Sequence, residues 1–190
     1  MTTTVARRTD TRSRLIDTAV GMFRSQGVSA TGLDQICRSA GVTKGVFAHH
    51  FPGGKHELIA AAVELDAQVM VDLLGRVHAK HGATLPELVT GLFGTYGRLF
   101  RKYGDAFGCP VAAVAVESGV SPEDAALAGA AFTVWRDALV ALDARISPTL
   151  AALIIGALEG AILQARASRD ADIFDQTGLE LAHLLEGTAT

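Results

Sequence analysis

Apolar side chains recur at intervals of three and four positions along most of this chain, which is the spacing of amphipathic helices. The first two stripes consist of Leu15, Ile16, Ala19, Val20 and Phe23, and of Leu33, Ile36, Cys37 and Ala40. Gly27 and Gly41 follow these stripes, and glycine after a last turn favours a helix end. Thr31 and Asp34 resemble a capping box before the second stripe. The pattern therefore predicts two helices before Gly41.

Capping residues and helix breakers divide the rest of the chain. Thr43 predicts the start of a third, short helix, and the break Pro52–Gly53–Gly54 ends it. A long helix follows from Lys55 and fades near His81. Further helix starts are predicted at Thr84, Pro110, Ser121, Ser147 and Asp170 or Asp172. No useful length of sequence alternates with the period of a strand, so the prediction is an all-α fold of about nine helices.

Charge is distributed unevenly along the chain. The net charge is −3, yet residues 1–56 contain eight Lys or Arg against three Asp or Glu, a balance of +5. The remaining residues contain nine basic and seventeen acidic side chains, a balance of −8. A basic N-terminal segment on an acidic body favours contact with a polyanion, and a chance distribution of surface charge is the alternative.

Composition excludes several classes of protein. Hydrophobic residues make up 49% of the chain, which argues against disorder, and no apolar run reaches the roughly 20 residues of a membrane helix. The first residues contain no apolar segment typical of a signal peptide, and two cysteines do not make a disulfide framework. We therefore expect a cytoplasmic protein with no membrane partner.

The sequence contains no enzyme signature and predicts no cofactor or metal. It has no phosphate-binding glycine loop, no nucleophile elbow and no His-Glu metal helix. His49, His50 and His56 lack the carboxylate or cysteine partners of a usual metal site. Cys109 precedes Pro110 at a predicted helix start, where a thiolate would be favoured. Two interpretations of Cys109 fit this position, a redox switch and plain packing.

Two short helices joined by the segment SAGVTK, residues 39–44, fit a helix-turn-helix. In such a unit the second helix enters the major groove of DNA, and its first residues contact base edges. Lys44 would reach guanine acceptors, Val46 a thymine methyl group, and the helix starting at Lys55 a phosphate. The predicted DNA-binding residues are Thr31, Thr43, Lys44, Gly45, Val46, His49 and Lys55. A small packing unit with no DNA role is the alternative.

The segment TGLDQICRSAGVTKGVFAHHFPGGKHELI, residues 31–59, resembles the helix-turn-helix of TetR-family repressors. The resemblance extends over about residues 10–65. FPGGKHEL (51–58), GCPVAAVAVE (108–117) and GALEGAILQARA (156–167) are similar to segments of the LmrA/YxaF-like subgroup. Ala48 departs from the pattern, because it stands where the family usually has a Tyr that contacts a DNA phosphate. The resemblance therefore implies one phosphate contact fewer.

The resemblance implies two domains and a function. Residues 1–56 would form the DNA-binding domain, and residues 57–190 a ligand-binding and dimerisation domain. The chain would be a homodimeric repressor, released from a palindromic double-stranded operator by a small apolar or aromatic effector. One alternative is an activator, or a repressor that needs a co-ligand. The other is a helical ligand-binding or interaction protein with weakened or lost DNA binding, which the departure at Ala48 brings into consideration.

Two sets of apolar residues are candidates for the dimer and the effector. A stripe near the C-terminus is predicted to form the dimer interface, with packing inside one chain as the alternative; it contains Leu153, Ile154, Ala157, Leu158 and Ala161. Aromatic residues of the middle helices and one amide are predicted to bind the effector, with plain core as the alternative. These residues are Phe93, Tyr96, Phe100, Phe132, Trp135 and Gln164.

Overall fold

A computed structural model describes residues 10–117 and 121–187 of the chain. Those residues form nine α-helices and one 3-10 turn at Gly104–Ala106, with no strand among them. The helices are α1 (Thr11–Gln26), α2 (Leu33–Ala40), α3 (Lys44–His50), α4 (Gly54–His81), α5 (Leu85–Tyr103), α6 (Pro110–Val116), α7 (Pro122–Leu142), α8 (Pro148–Ser168) and α9 (Asp172–Gly187). The predicted all-α fold is confirmed.

Most predicted helix starts are confirmed by side-chain caps. The side chains that accept a backbone N–H at the starts of α3, α5, α7 and α8 are Thr43, Thr84, Ser121 and Ser147. The capping box predicted at Thr31 is wrong. Gly32 is the residue before α2 and makes no side-chain cap, while the Thr31 hydroxyl donates to the carbonyl oxygen of Gly27.

The first three helices and the start of α4 form a small bundle, which we call the head. Its core contains Leu15, Ala19, Phe23, Ile36, Phe47, Phe51 and Leu58. Phe47 and Phe51 stack with ring centroids 5.5 Å apart, so the inner side of α3 is fixed to the bundle. Gly41 has φ +66°, the left-handed conformation that glycine adopts without strain, and it sets the turn between α2 and α3.

The other helices form a larger body. α5 packs on α9, α7 packs on α4 and α6, and α8 contacts both α7 and α9. The residues of this core with almost no exposed surface include Leu74, Leu92, Phe93, Trp135, Leu139, Leu158 and Phe174. α4 passes through the domain boundary predicted between residues 56 and 57 without interruption, so it belongs to both parts.

Charged side chains of the body hold the end of α1 and the turn after it. The Glu117 carboxylate accepts the backbone N–H groups of Val28 and Ser29 at 2.8 and 2.6 Å. The Arg166 guanidinium donates to the carbonyl oxygens of Arg24 at 2.6 Å and Ser25 at 3.1 Å. These contacts supply partners for the backbone groups at and beyond the end of α1, and they fix the head on the body.

Candidate functional site

The outer face of α3 presents a continuous set of exposed residues at the surface of the head. Its exposed members are Thr43, Lys44, Gly45, Val46, Ala48 and His49. The Thr43 hydroxyl accepts the backbone N–H of Val46 at 3.3 Å, which caps the helix and fixes its direction. Because Phe47 and Phe51 are buried on the opposite side of the helix, the exposed face of α3 is the one available to a partner.

Lys44 is the basic side chain at the start of this face. Its ammonium group pairs with the Asp34 carboxylate of α2 at 2.8 Å. The hydrogen bond that Lys44 donates to the Asp34 carboxylate, together with the charge of Asp34, raises the pKa of Lys44, which stays protonated at neutral pH. Both side chains are exposed, and exposed ion pairs are worth little, so Lys44 can leave Asp34 for another anion.

Two of the predicted DNA-binding residues are used inside the protein. Thr31 has no exposed surface, and its hydroxyl is bonded to Gly27. The Lys55 ammonium group donates to the carbonyl oxygen of Val28 at 2.7 Å, and burial lowers the pKa of Lys55. The prediction that these two residues contact DNA is therefore corrected: both stabilise the turn between α1 and α2.

Lys55→Met is expected to lower the free energy of unfolding by about 1 kcal/mol, because the carbonyl oxygen of Val28 loses its donor. The slope of DNA affinity against salt concentration should stay unchanged, because no phosphate contact is lost. Chemical denaturation and fluorescence anisotropy measure the two quantities. Lys80→Met, at the exposed end of α4, is the control and should alter neither. A salt slope reduced by about one per protomer would restore Lys55 as a phosphate contact.

A cavity of about 530 Å³ lies where the head meets the body. Its wall is formed by α1, α4, α5, the segment before α6, α7 and α8. The polar, charged and aromatic side chains of its lining include Arg24, Asp66, Arg76, Tyr96, Phe107, Cys109 and Trp135. Val69, Arg76 and Tyr103 line the cavity and are exposed, so it reaches the surface there. A mostly apolar cavity with a few polar groups is typical of small-molecule sites.

Only part of the predicted effector set lines this cavity. Tyr96 and Trp135 do. Phe93 is fully buried against Gly178, and Phe100 and Phe132 are also absent from the cavity wall. Gln164 is exposed and donates to the carbonyl oxygen of Gly160 at 3.4 Å on its own helix. We correct the prediction for these four residues, which belong to the core or the outer surface.

Sequence reasoning missed the polar residues of the cavity. Arg24 of α1 and Asp66 of α4 form an ion pair in its wall, and Asp66 is almost completely buried. A charged residue at an inward helical position is the signal that marks Asp66, since Ala62, Val63 and Met70 surround it on the same stripe. No local pattern links Arg24 to it across 42 positions.

The remaining polar groups of the cavity are poorly solvated. The Tyr96 hydroxyl donates to the Met70 sulfur at 3.1 Å, a weak acceptor, while the Trp135 N–H donates to the carbonyl oxygen of Ala67 at 3.2 Å. Burial raises the pKa of Tyr96 well above its usual range. Burial raises the pKa of Asp66 as well, against the opposing effect of Arg24.

Cys109 lies in the cavity wall at the start of α6, where its sulfur accepts the N–H of Ala112 at 3.3 Å. Burial, followed by the negative charge of Glu159 on α8, raises the pKa of Cys109 well above its ordinary value. The thiol is therefore protonated at neutral pH, and the expectation that a thiolate is favoured there is corrected.

The outer face of α8 and α9 is apolar. Leu153, Leu163, Leu179 and Leu184 are each more than half exposed. On α8 the exposed or partly exposed positions recur at helical spacing: Leu153, Gly156, Ala157, Gly160, Leu163, Gln164 and Ala167. The glycines of this stripe have open space where a side chain would stand. A helix that is apolar on both faces is typical of one buried in a larger assembly.

The predicted dimer stripe is only partly right in its residues. Ile154, Leu158 and Ala161 point into the core of their own chain and are almost fully buried. They are corrected to core residues. Leu153 is exposed and Ala157 is partly exposed on the outer face. α8 carries two apolar stripes, and the sequence alone does not say which one faces inward.

α7 and α8 are each long and apolar enough to cross a membrane by length and composition. Core helices of globular proteins pass the same test, and α8 buries one face against α7 and α9.

Comparison with known proteins matches both parts of the chain. Residues 15–62 match the family described as bacterial regulatory proteins, tetR family. Residues 87–180 match the family described as transcriptional regulator LmrA/YxaF-like, C-terminal domain. The first match covers the helix-turn-helix, and the second covers the helices that enclose most of the cavity and carry the outer leucines.

Relatives are similar over different lengths. An uncharacterized HTH-type transcriptional regulator of Mycobacterium tuberculosis is 31% identical over 186 residues, covering 92% of this chain and 93% of the relative. The HTH-type transcriptional regulator LmrA of Bacillus subtilis is 43% identical over 54 residues, 28% of this chain and 29% of that protein. The crystal structure of regulatory protein TetR from Rhodobacter sphaeroides has a TM-score of 0.79 at 22% identity, covering 91% of this chain and 97% of that one.

The helix-turn-helix match, the LmrA/YxaF-like match and the full-length similarity to a transcriptional regulator agree with the exposed α3 face. The chain belongs to the TetR family of DNA-binding transcriptional regulators and has an LmrA/YxaF-like C-terminal domain.

Proposed function

We propose that this regulator is a cytoplasmic, homodimeric repressor that releases a palindromic operator when a small apolar or aromatic effector enters its cavity. The observation that carries the proposal is the exposed face of α3. Thr43, Lys44, Gly45, Val46 and His49 all lie on it, and none of them is needed for the core. The first residues of such a helix contact base edges in the major groove.

The size of the head and the outer face of α8 and α9 support the proposal of a dimer. One short recognition helix makes few base contacts, whereas two copies related by a two-fold axis read two half-sites roughly 34–36 Å apart. The exposed leucines of α8 and α9 supply an apolar surface for the partner copy. Burying this surface also explains why α8 is apolar on both faces.

The position of the cavity supports control by a ligand. Gly21 and Arg24 of α1 line it together with residues of the body, so an occupant touches the head directly. A ligand releases DNA only to the extent that it binds the DNA-free arrangement more tightly. Trp135 and Phe107 in the wall favour an effector with an aromatic or apolar body.

Selection of duplexes from a random pool with the full-length protein tests the DNA-binding role. We expect enrichment of a palindrome whose half-sites are about one helical turn apart, with affinity that falls steeply with salt. The DNA upstream of the gene that encodes this chain is the second duplex to test. Absence of enrichment at low ionic strength would contradict the proposal and favour a helical interaction protein that has lost DNA binding.

Lys44→Ala is expected to weaken binding to the selected operator about 10- to 100-fold and to relax sequence preference, because a base-reading side chain is removed. Fluorescence anisotropy with the operator and with a scrambled duplex measures both effects. Lys80→Ala removes the same charge from the exposed end of α4 and should change neither. Equal losses on the operator and the scrambled duplex would make Lys44 a phosphate contact instead.

A further inference from the structure

Three acidic groups line the inner end of the cavity, and a fourth lies close to them outside the cavity wall. They are the Asp66 carboxyl of α4, the Tyr96 hydroxyl of α5, the Cys109 thiol before α6 and the Glu159 carboxyl of α8. The charges of Asp66 and Glu159 both raise the pKa of Tyr96 and of Cys109, so the four groups lie close together. Their raised pKa values keep Tyr96 and Cys109 neutral at neutral pH, so the Asp66 carboxylate is the member of this set that presents a negative charge to the cavity. Asp66 is buried, whereas the Arg24 side chain is about a third exposed and can turn toward water, so a cation can replace Arg24 more readily than an anion can replace Asp66.

The four acidic groups differ in their partners. Within the described part of the chain, one carboxyl oxygen of Glu159 is buried and has no hydrogen-bond partner. The Cys109 thiol lines the cavity and donates to the carboxyl group of Glu159, which is not part of the cavity wall. Asp66 has Arg24 as its partner. A buried carboxylate without full compensation is costly, and a bound cation would remove part of that cost.

The other cations near the cavity do not neutralise this end. Arg166 directs its guanidinium to the carbonyl oxygens of Arg24, Ser25 and Phe107. Arg76 also lines the cavity, but it is exposed and lies ten positions beyond Asp66 on α4, roughly 15 Å along the helix axis. At that distance water and salt screen its charge. Arg24 is therefore the cation that an incoming ligand would displace.

We propose that the cavity binds an amphipathic organic cation, whose apolar body packs against Trp135 and Phe107 and whose cationic nitrogen takes the place of Arg24 at Asp66. This inference rests on the ligand-binding role proposed above and names the chemistry of the ligand. A neutral compound with the same apolar body would fill the apolar space, but it would leave the Arg24–Asp66 ion pair intact.

Displacement of Arg24 connects the ligand to the DNA-binding surface. Arg24 belongs to the last turn of α1, and its ion pair with Asp66 is one of the contacts that fix the head on α4. A cation at Asp66 frees the Arg24 side chain, which then moves toward water. The end of α1 loses one tie to the body, and the arrangement of the two heads in the dimer is less restricted.

Isothermal titration calorimetry with three matched probes and no DNA tests the inference. The probes are 1-naphthylmethylamine, a cation at neutral pH, 1-naphthylmethanol, which is neutral, and 1-naphthylacetate, an anion. They share one ring system, so a difference in affinity reports charge. We expect the cation to bind at least about 10-fold more tightly than the anion, with the neutral alcohol between them.

Three variants of the full-length protein identify the residues. Asp66→Asn should weaken binding of the cationic probe about 10-fold and change the affinity for the neutral alcohol by no more than about twofold. Binding of the alcohol to this variant shows that the cavity is still folded. Arg24→Gln should strengthen binding of the cationic probe severalfold, because the probe no longer has to displace a guanidinium group from Asp66. Asp72→Asn makes the same chemical change at an exposed position of α4 and should leave all three probes unchanged.

Two results would overturn the inference. The first is an anion that binds as tightly as the cation, and the second is a cation affinity that neither Asp66→Asn nor Arg24→Gln alters. Failure of all three probes to bind would count against the inference and also against the ligand-binding role of the cavity. DNA binding is measured separately by duplex selection, so failure of that role is distinguishable from both results.

Discussion

Leu163→Glu is expected to dissociate the dimer and to lower operator affinity about 100-fold or more. The side chain is exposed in one chain and lies on the apolar stripe of α8 that we assign to the partner copy. In a two-fold interface the substitution occurs twice, so two carboxylates would be buried without partners. A single head then retains little more than non-specific affinity. Sedimentation velocity and anisotropy with the selected operator measure the two effects.

Val134→Glu is the matched control for the dimer prediction. Val134 lies on the outer side of α7, is nearly half exposed and is also apolar, but it is not part of the stripe on α8. We expect this variant to remain dimeric and to bind DNA normally. A Leu163→Glu protein that sediments as a dimer would contradict our assignment and place the interface on another surface.

Glu159→Gln is expected to stabilise the protein at alkaline pH by about 3 kcal/mol. Burial raises the pKa of Glu159 from 4.5 to about 7, with Asp66 adding to the shift and the Cys109 thiol opposing it. Between these two values the unfolded chain loses the proton while the folded chain keeps it, which costs about 1.4 kcal/mol per pH unit. The neutral Glu159 carboxyl therefore makes its full contribution to the free energy of unfolding below pH 4.5, and this contribution is lost by pH 7.

Glutamine has nearly the same shape as the protonated carboxyl and does not ionise, so the variant avoids this cost. The difference between variant and wild type should be near zero at pH 4 and largest above pH 7, where it raises the midpoint of thermal unfolding by roughly 5–10 °C. Thermal denaturation at pH 4, 6 and 8 checks the trend. Glu64→Gln, on the exposed side of α4, should show no such growth with pH. A constant difference at all three pH values would show that the pKa of Glu159 is the same in the folded and unfolded chains, which would contradict the prediction.

The helices and the head were predictable because their signals are local. The glycine after α2, the Thr43 cap and the two aromatic anchors lie within a few positions of one another, and each acts on its own turn of helix. The failure at Thr31 is instructive. Its spacing to Asp34 fits a capping box, yet the bundle buries the hydroxyl and bonds it to Gly27. Tertiary packing overrode the local preference.

The lining of the cavity and the choice between the inner and outer apolar faces of α8 could not be predicted from such local signals. The middle helices α5 and α7 both contain aromatic residues. The position of each residue around its helix decides which of these side chains line open space. Phe93 is buried against α9, while Tyr96, three positions later, reaches the cavity. The position of Lys55 likewise depends on a carbonyl group 27 positions away.

The sequence by itself determined the all-α fold, most of the helix boundaries, the helix-turn-helix and the family, because these depend on periodicity, caps and motif residues close together in the chain. Only the tertiary structure decided which apolar stripe of α8 faces outward, and that Arg24 of the head meets Asp66 in the cavity wall. Such contacts join residues far apart in sequence. They form because burying the apolar faces brings the helices together, and no local pattern records the result.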